Sequence, residues 1–435
     1  MNIIFKQHVN YYNVLKYLKN NFEEIEIINL DAIYALILKS KHKNLLEKAY
    51  SCIQDKFSDL LESSERDSRL KYIESLINNK NVQKINSYTY YKSVDKKINS
   101  NNQIEKYSWD IDKVTNNRKT YFIEKGNHSI VIAIIDSGID ISHPDLKENI
   151  IKGKSYISND LSLKDNSGHG TMVAGIIAAN GTMKGISPRI AIKPYKVFDS
   201  NNNCNSEDVI CSIVDAVKDK VDIINLSLGT YKSIIKDREF ALIIAYMRSI
   251  SYAYENGCIV VASAGSELKG YDISNSIELA AQKGIAEDIE IHLPGGLPNV
   301  ITVASVDKYD RFQQFSNYGT NIDICAPTGS LRFIDKEKKL IDKQYLILTT
   351  IPLNLYKAQK NEGYILTYGG TSLSTAIVSA TIALIICKYQ RKYGRKPVVS
   401  EIKKYLYSGA IYNKDMNPIY FGNGIVNAYN SLRLI

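Results

Sequence analysis

Between Ser129 and Cys325, short runs rich in β-branched residues alternate with stretches of helical periodicity. That rhythm predicts βαβ units, because parallel neighbours cannot be joined by a tight turn and need a crossover. Strands are expected at 129–135, 191–197, 221–226, 258–262, 300–306 and 321–325, with helices at 171–179, 206–217 and 238–255. The fold class is therefore α/β: a parallel sheet covered by helices on both faces. In such a sheet a site belongs outside the C-terminal ends of the strands.

Several of those ends carry reactive residue types. The first strand runs into Asp136-Ser137-Gly138-Ile139-Asp140, where the carboxylate is either a turn residue or a functional group. Gly168-His169-Gly170-Thr171 opens a helix, and a lone histidine there would serve equally as a cap or a satisfied core residue. Farther on, Gly369-Gly370-Thr371-Ser372 closes a loop and leads into an apolar run through Ile385, read as a buried helix of about four turns. Ala376, Ala380 and Ala383 give that helix a stripe of small residues for close packing. Ser372 is either an N-cap or a nucleophile at a helix mouth, where free N–H groups and the dipole favour a developing negative charge. One explanation covers all three motifs. A nucleophilic serine needs a base, and the base needs a carboxylate to fix its tautomer. Asp136, His169 and Ser372 supply those roles in that order along the chain.

These residues resemble the three signatures of the subtilisin-like serine proteases. Gly185-Ile186-Ser187-Pro188, Asn225–Gly229, Phe315–Gly319 and Tyr420–Gly424 are similar to further landmarks of that family, and the likeness runs from Trp109 to Leu432. Within the family, Trp109-Asp110-Ile111, His143–Lys147 and Leu293–Val300 look like the lantibiotic leader peptidases, which cut the leader from a ribosomally made, thioether-bridged peptide antibiotic. The resemblance implies a propeptide-like α+β domain at 1–92, an exposed linker with a processing site at 93–106, and a protease domain at 107–435. It implies that Asp136 orients, His169 acts as general base then acid, and Ser372 attacks, with the Ser372 backbone N–H as an oxyanion donor. Ser227, Leu228 and Gly229 would pair with substrate as an added strand, and Ser263, Ala264 and Gly265 would form the facing wall. The implied partners are a precursor's leader peptide and the chain's own propeptide as an intramolecular inhibitor. A general intracellular subtilase acting on unfolded proteins, and a pseudoprotease that captures peptides uncut, are the alternatives.

The sequence departs from the family in three places. Ser266 stands where an asparagine side chain usually serves the oxyanion, a donor whose loss typically costs about two to three orders of magnitude in turnover; Asn275 is a candidate substitute. Ala376 and Ile377 replace a proline and a histidine, which is expected to shift Ser372 slightly. The segment from Gly175 to Gly185 is too short for the family's tight calcium loop, so no metal or cofactor is expected, although Asp145 matches one calcium ligand. Asp288 and Glu290 either acidify the floor of the specificity pocket or lie on a solvated loop.

Composition narrows the rest. The net charge of +9 is spread along the chain without a basic block, which argues against a nucleic-acid partner. Six cysteines show no metal-ligand spacing, and Cys258, Cys325 and Cys387 sit in apolar runs as core residues. No window is expected to reach the roughly 18 apolar residues of a membrane span. The opening residues show no apolar segment of signal-peptide length, so the expected location is cytoplasmic, or secreted if a signal was removed.

Overall fold

The computed structural model describes residues 1–62, 106–157, 160–335, 340–355 and 363–435. The linker expected at 93–106 lies outside the described residues except for Lys106, as does the expected N-terminal domain beyond residue 62.

Residues 1–62 form a small α+β unit. Strands β1 (Asn2–Ile4), β2 (Glu26–Leu30) and β3 (Ala35–Lys39) make an antiparallel sheet in the order β1-β3-β2, with helices Tyr12–Asn21 and Lys43–Phe57. The third strand cannot start directly after the second. Asp31–Ile33 turns as a 3-10 helix, and Tyr34 adopts a left-handed φ of 53° before the chain can extend.

The larger unit is built on β4 (Val131–Asp136), β5 (Lys154–Ser155), β6 (Ala191–Lys196), β7 (Ile223–Leu226), β8 (Thr230–Ser233), β9 (Ile259–Ser263), β10 (Glu290–Leu293), β11 (Val300–Val306) and β12 (Ile324–Pro327). Seven of these form one sheet in the order β12-β11-β9-β7-β4-β6-β5, and every pairing in it is parallel. Alternation along β4 separates two cores: Ile132 and Ile134 pack on one face, Ala133 and Ile135 on the other. The first face takes helices His169–Ala178 and Thr371–Tyr393; the second takes Ser206–Lys218 and Asp237–Glu255. Cys258, Cys325 and Cys387 are buried as expected. Three antiparallel pairs were not legible in the sequence: β8 with β10, β13 (Phe333–Asp335) with β14 (Leu340–Ile341), and β15 (Ile347–Thr350) with β16 (Tyr364–Thr367).

One expectation is corrected. The helix Thr371–Tyr393 is long and apolar enough, by length and composition, to cross a membrane. It is nevertheless the central core helix, with Ala376, Ala380 and Ala383 fully buried. Its serines and threonines, which dilute a simple apolar count, are buried by hydrogen bonding: Thr375 and Thr381 hydroxyls donate back to the carbonyls four residues earlier.

The small unit docks on the second face. Ile4, Leu30, Ile33, Ala35 and Ile37 belong to the same apolar cluster as Ile210, Val214, Ile243 and Tyr246. Arg248, 7 % exposed, spans the seam: its guanidinium donates to Phe5 O at 2.6 Å, to Ile33 O at 3.2 Å and to Glu62 at 2.7 Å. Lys39 pairs with Asp208 at 2.7 Å, and Asn2 bonds Glu207 at 3.0 Å. Truncating Arg248 leaves buried carbonyls without a donor, so Arg248→Ala is expected to weaken docking by about 1–3 kcal/mol. Calorimetry of the inactive Ser372→Ala protein with and without this change checks it; an unchanged melting profile would refute the role.

Candidate active site

Asp136 ends β4 and His169 begins the helix that follows it, a topology that delivers both to the sheet's C-terminal edge. His169 Nδ1 lies 2.7 Å and 2.9 Å from the two Asp136 oxygens, so Nδ1 carries the proton and donates it. Asp136 is 1 % exposed, and its Oδ1 also accepts from Ser137 N at 2.7 Å. The helix start admits no side chain at Gly170, where a Cβ would sit 2.0 Å from Gly138 O. Gly168, at a φ of 91°, makes the preceding turn.

Ser372 reaches the same edge from the opposite end of the chain. β4 and β7 are neighbours with Ile134 beside Asn225, so Asp136 and Ser227 leave the sheet side by side. Ser227 Oγ donates to Ser372 O at 2.8 Å, and Ser372 Oγ donates to Ser227 O at 3.1 Å. Behind them Ser379 donates to Asn225 Oδ1 at 2.8 Å, and Asn225 Nδ2 donates to Ser227 Oγ at 3.0 Å. This buried relay ties the serine helix to β7 and was missed in the sequence, where Asn225 read only as part of a family landmark. Ala376, in place of proline, simply continues the helix.

Where an oxyanion donor was expected, the structure holds a pair of hydroxyls. Ser266 Oγ accepts from Thr371 N at 3.1 Å and lies 3.2 Å from Thr371 Oγ1, which in turn accepts from Gly265 N at 3.1 Å. One O–H proton satisfies the contact between the two hydroxyls, and the second can point elsewhere. Asn275 is not available as the substitute: it is exposed and caps the helix Ser276–Gln282, accepting from Ile277 N and Glu278 N.

The two segments expected to form walls leave the sheet at the ends of the neighbouring parallel strands β7 and β9. Beyond Leu228 and Gly229 lies a cavity of about 520 Å³ with a mostly polar lining, in which Asn203, Glu207 and Lys232 stand beside Phe198, Leu242 and Tyr246. Between the walls β8 and β10 bring Tyr231 opposite His292, with ring centroids 5.9 Å apart, and the Tyr231 hydroxyl donates to Glu267 at 2.7 Å. Glu290 is not on a solvated loop; it is a buried residue of β10 ion-paired with Lys283. Asp288 is tied to Lys236 at 3.0 Å and to the Ser233 hydroxyl.

Asp145 does not fit a calcium ligand here. Its oxygens accept from Thr182 N at 2.9 Å, Met183 N at 2.7 Å and the Tyr364 hydroxyl at 2.8 Å, so the short loop fills the place with donors that would repel a cation.

Charge around His169 favours the protonated ring. Burial pulls its pKa down, but the facing Asp136 charge, the hydrogen bond to it and the nearby Asp165 charge together leave it above the ordinary value. Asp165, four residues before the histidine, is itself fully buried, which pushes its carboxyl upward against the pull of its hydrogen bonds.

Known proteins resemble this chain along most of its length. The sequence profile described as the subtilase family matches residues 127–424. The epidermin leader peptide-processing serine protease of Staphylococcus epidermidis is 31 % identical over 420 residues, covering 87 % of each chain. The crystal structure of the epidermin leader peptide processing serine protease from Staphylococcus aureus superposes with a TM-score of 0.76 at 26 % identity, covering 100 % of this chain and 97 % of that one. The crystal structure of a lanthipeptide protease aligns with 76 % of this chain and 95 % of its own, at 32 % identity and a TM-score of 0.65.

Two outcomes follow from the site. Proton abstraction needs a neutral imidazole, so a raised pKa means that reactivity falls away as pH drops through a midpoint above 6.5, read as the pH dependence of fluorophosphonate labelling. Asp145→Ala orphans two N–H groups and a hydroxyl and is expected to lower stability by about 2–4 kcal/mol, whereas EDTA leaves the thermal midpoint of the unaltered protein where it was.

Proposed function

This chain belongs to the subtilase family of serine proteases, hydrolases of peptide bonds, and from that premise we propose that it removes the leader peptide from a lantibiotic precursor. The observation that carries the reading is the full-length likeness to a leader-processing protease, which spans the small N-terminal unit as well as the catalytic one.

In this reading Ser372 Oγ leaves its bond to Ser227 O, gives its proton to His169 and attacks the carbonyl carbon of the scissile bond. His169 then passes that proton to the departing amine, and water, deprotonated by the same imidazole, releases the acyl group. Asp136 holds the tautomer and balances the imidazolium. The oxyanion is met by the Ser372 backbone N–H and by the free proton of the Ser266–Thr371 hydroxyl pair. The leader lies along Ser227–Gly229 as an added strand, with Ser263–Gly265 opposite and a leader side chain in the mostly polar cavity beyond Leu228. No cofactor enters the cycle. The N-terminal unit acts as a propeptide that inhibits until it is cut away, and the reaction is placed in the cytoplasm.

The test is intact-mass analysis of a precursor peptide with the protein and with Ser372→Ala. A single cut at the leader–core junction is expected from the first alone. An uncut leader, or casein cut at many sites, would reject the narrow specificity and favour the general protease. Ser266→Ala is expected to lower kcat by about tenfold or more with KM little changed, because its contact forms only in the transition state; steady-state kinetics on the same peptide measures both.

A further inference from the structure

Asp165 is not among the residues assigned a catalytic role, yet its carboxylate is the most heavily hydrogen-bonded group near His169. It is 1 % exposed. Oδ1 accepts from Gly168 N at 2.7 Å, the Ser137 hydroxyl at 2.9 Å and Ser167 N at 3.1 Å; Oδ2 accepts from the Thr171 hydroxyl at 2.7 Å and Thr171 N at 2.9 Å. Each hydroxyl oxygen also accepts an N–H, Ser137 from Gly170 at 2.9 Å and Thr171 from Asp140 at 3.0 Å, which favours the orientation that points its own proton at Asp165. The backbone N–H groups of Gly168, Ser167 and Thr171 can only donate, so a neutral carboxyl would have to turn its proton onto a hydroxyl oxygen that already accepts a bond. The hydrogen bonds thus favour the ionised form against the upward pull of burial.

These partners are the parts that aim the histidine. Gly168, Gly170 and Thr171 surround His169 in sequence, Ser137 follows Asp136, and Thr171 holds Asp140 N. We infer that Asp165 is a positioning residue of the hydrolytic reaction: it locks the turn that presents His169 to Asp136 and sets a second fixed negative charge beside the imidazole, stabilising the imidazolium that forms when Ser372 is deprotonated. The inference rests on the reading of His169 as the general base.

The other charged groups at this corner are accounted for. Asp136 faces Nδ1 directly. Asp140 is committed to Ser142 N and to Leu353 N at 2.9 Å each. On the far side of the loop, fully buried Lys196 is paired with Asp160 and donates to Lys164 O at 2.7 Å, which fixes the segment leading into Asp165. The Cys204 thiol is held neutral by burial.

The bland alternative is a structural cap, and pH separates the two. Fluorophosphonate labelling against pH, on the full chain, is compared for the unaltered protein and Asp165→Asn. Loss of the charge is expected to lower the rate by about tenfold or more and to move the acid limb down by on the order of half to one pH unit. A slower variant whose limb is unmoved or raised leaves only a structural role and overturns the inference. Should Asp165→Asn not fold, the Asp165 carboxyl ¹³C shift in the Ser372→Ala protein decides: an ionised group at pH 7 that senses the His169 titration supports the inference, and a protonated one overturns it. The labelling reagent needs no leader, so failure of the leader substrate leaves this test standing. Absence of labelling in the unaltered protein would instead sink the general-base reading on which it depends.

Discussion

The register between β4 and β7 is the constraint on which the site depends. Because Ile134 lies beside Asn225, a carboxylate and a serine carbonyl emerge together at one edge of the sheet. Everything else is brought to that pair. The histidine helix hangs from β4 through Asp136 and Ser137, and the serine helix is clamped to β7 through Asn225, Ser227 and Ser379. A slip of one residue would turn Asp136 to the opposite face. Such a slip is opposed by two separate apolar cores, one on each side of the sheet.

Asp145, Asp165 and Asn225 are all buried, and each is met by several donors or relays. Asp145 illustrates the alternative to a metal: a carboxylate that could bind a cation is satisfied by backbone N–H groups of a short loop and by one tyrosine. Ser266 and Thr371 make a comparable exchange, offering a hydroxyl pair at a place where an amide is usual in the family.

The parallel sheet was legible because both of its faces are covered, so each strand is an unbroken apolar run. Val300–Val306 was anticipated residue for residue. The antiparallel pairs were not, since β8, β10 and β13–β16 are too short, at two to four residues each, to carry a periodic signal. The ordered Asp, His and Ser could be found from their glycine-bracketed settings. Asp165 could not be singled out, because an aspartate before a helix carries the same signature whether it caps or supports. Asn275 and Glu290 were misread for a related reason: a side chain's partner across the fold, such as Lys283 for Glu290, leaves no mark in the local sequence. The core helix was undercounted because its serines and threonines lower the apolar tally while bonding within the helix.

The shared apolar cluster between the N-terminal unit and the helices beneath it has a kinetic meaning. While the chain is intact, the tether keeps the local concentration of the unit high, and it rebinds whenever it lifts off. A cut anywhere outside the interface removes that tether without touching Arg248 or the buried isoleucines, so the fragment then leaves at its own dissociation rate. Separation of the two pieces becomes a matter of dilution and residence time rather than of bond cleavage. A concentrated preparation would keep them together longer, and a dilute one would part them sooner.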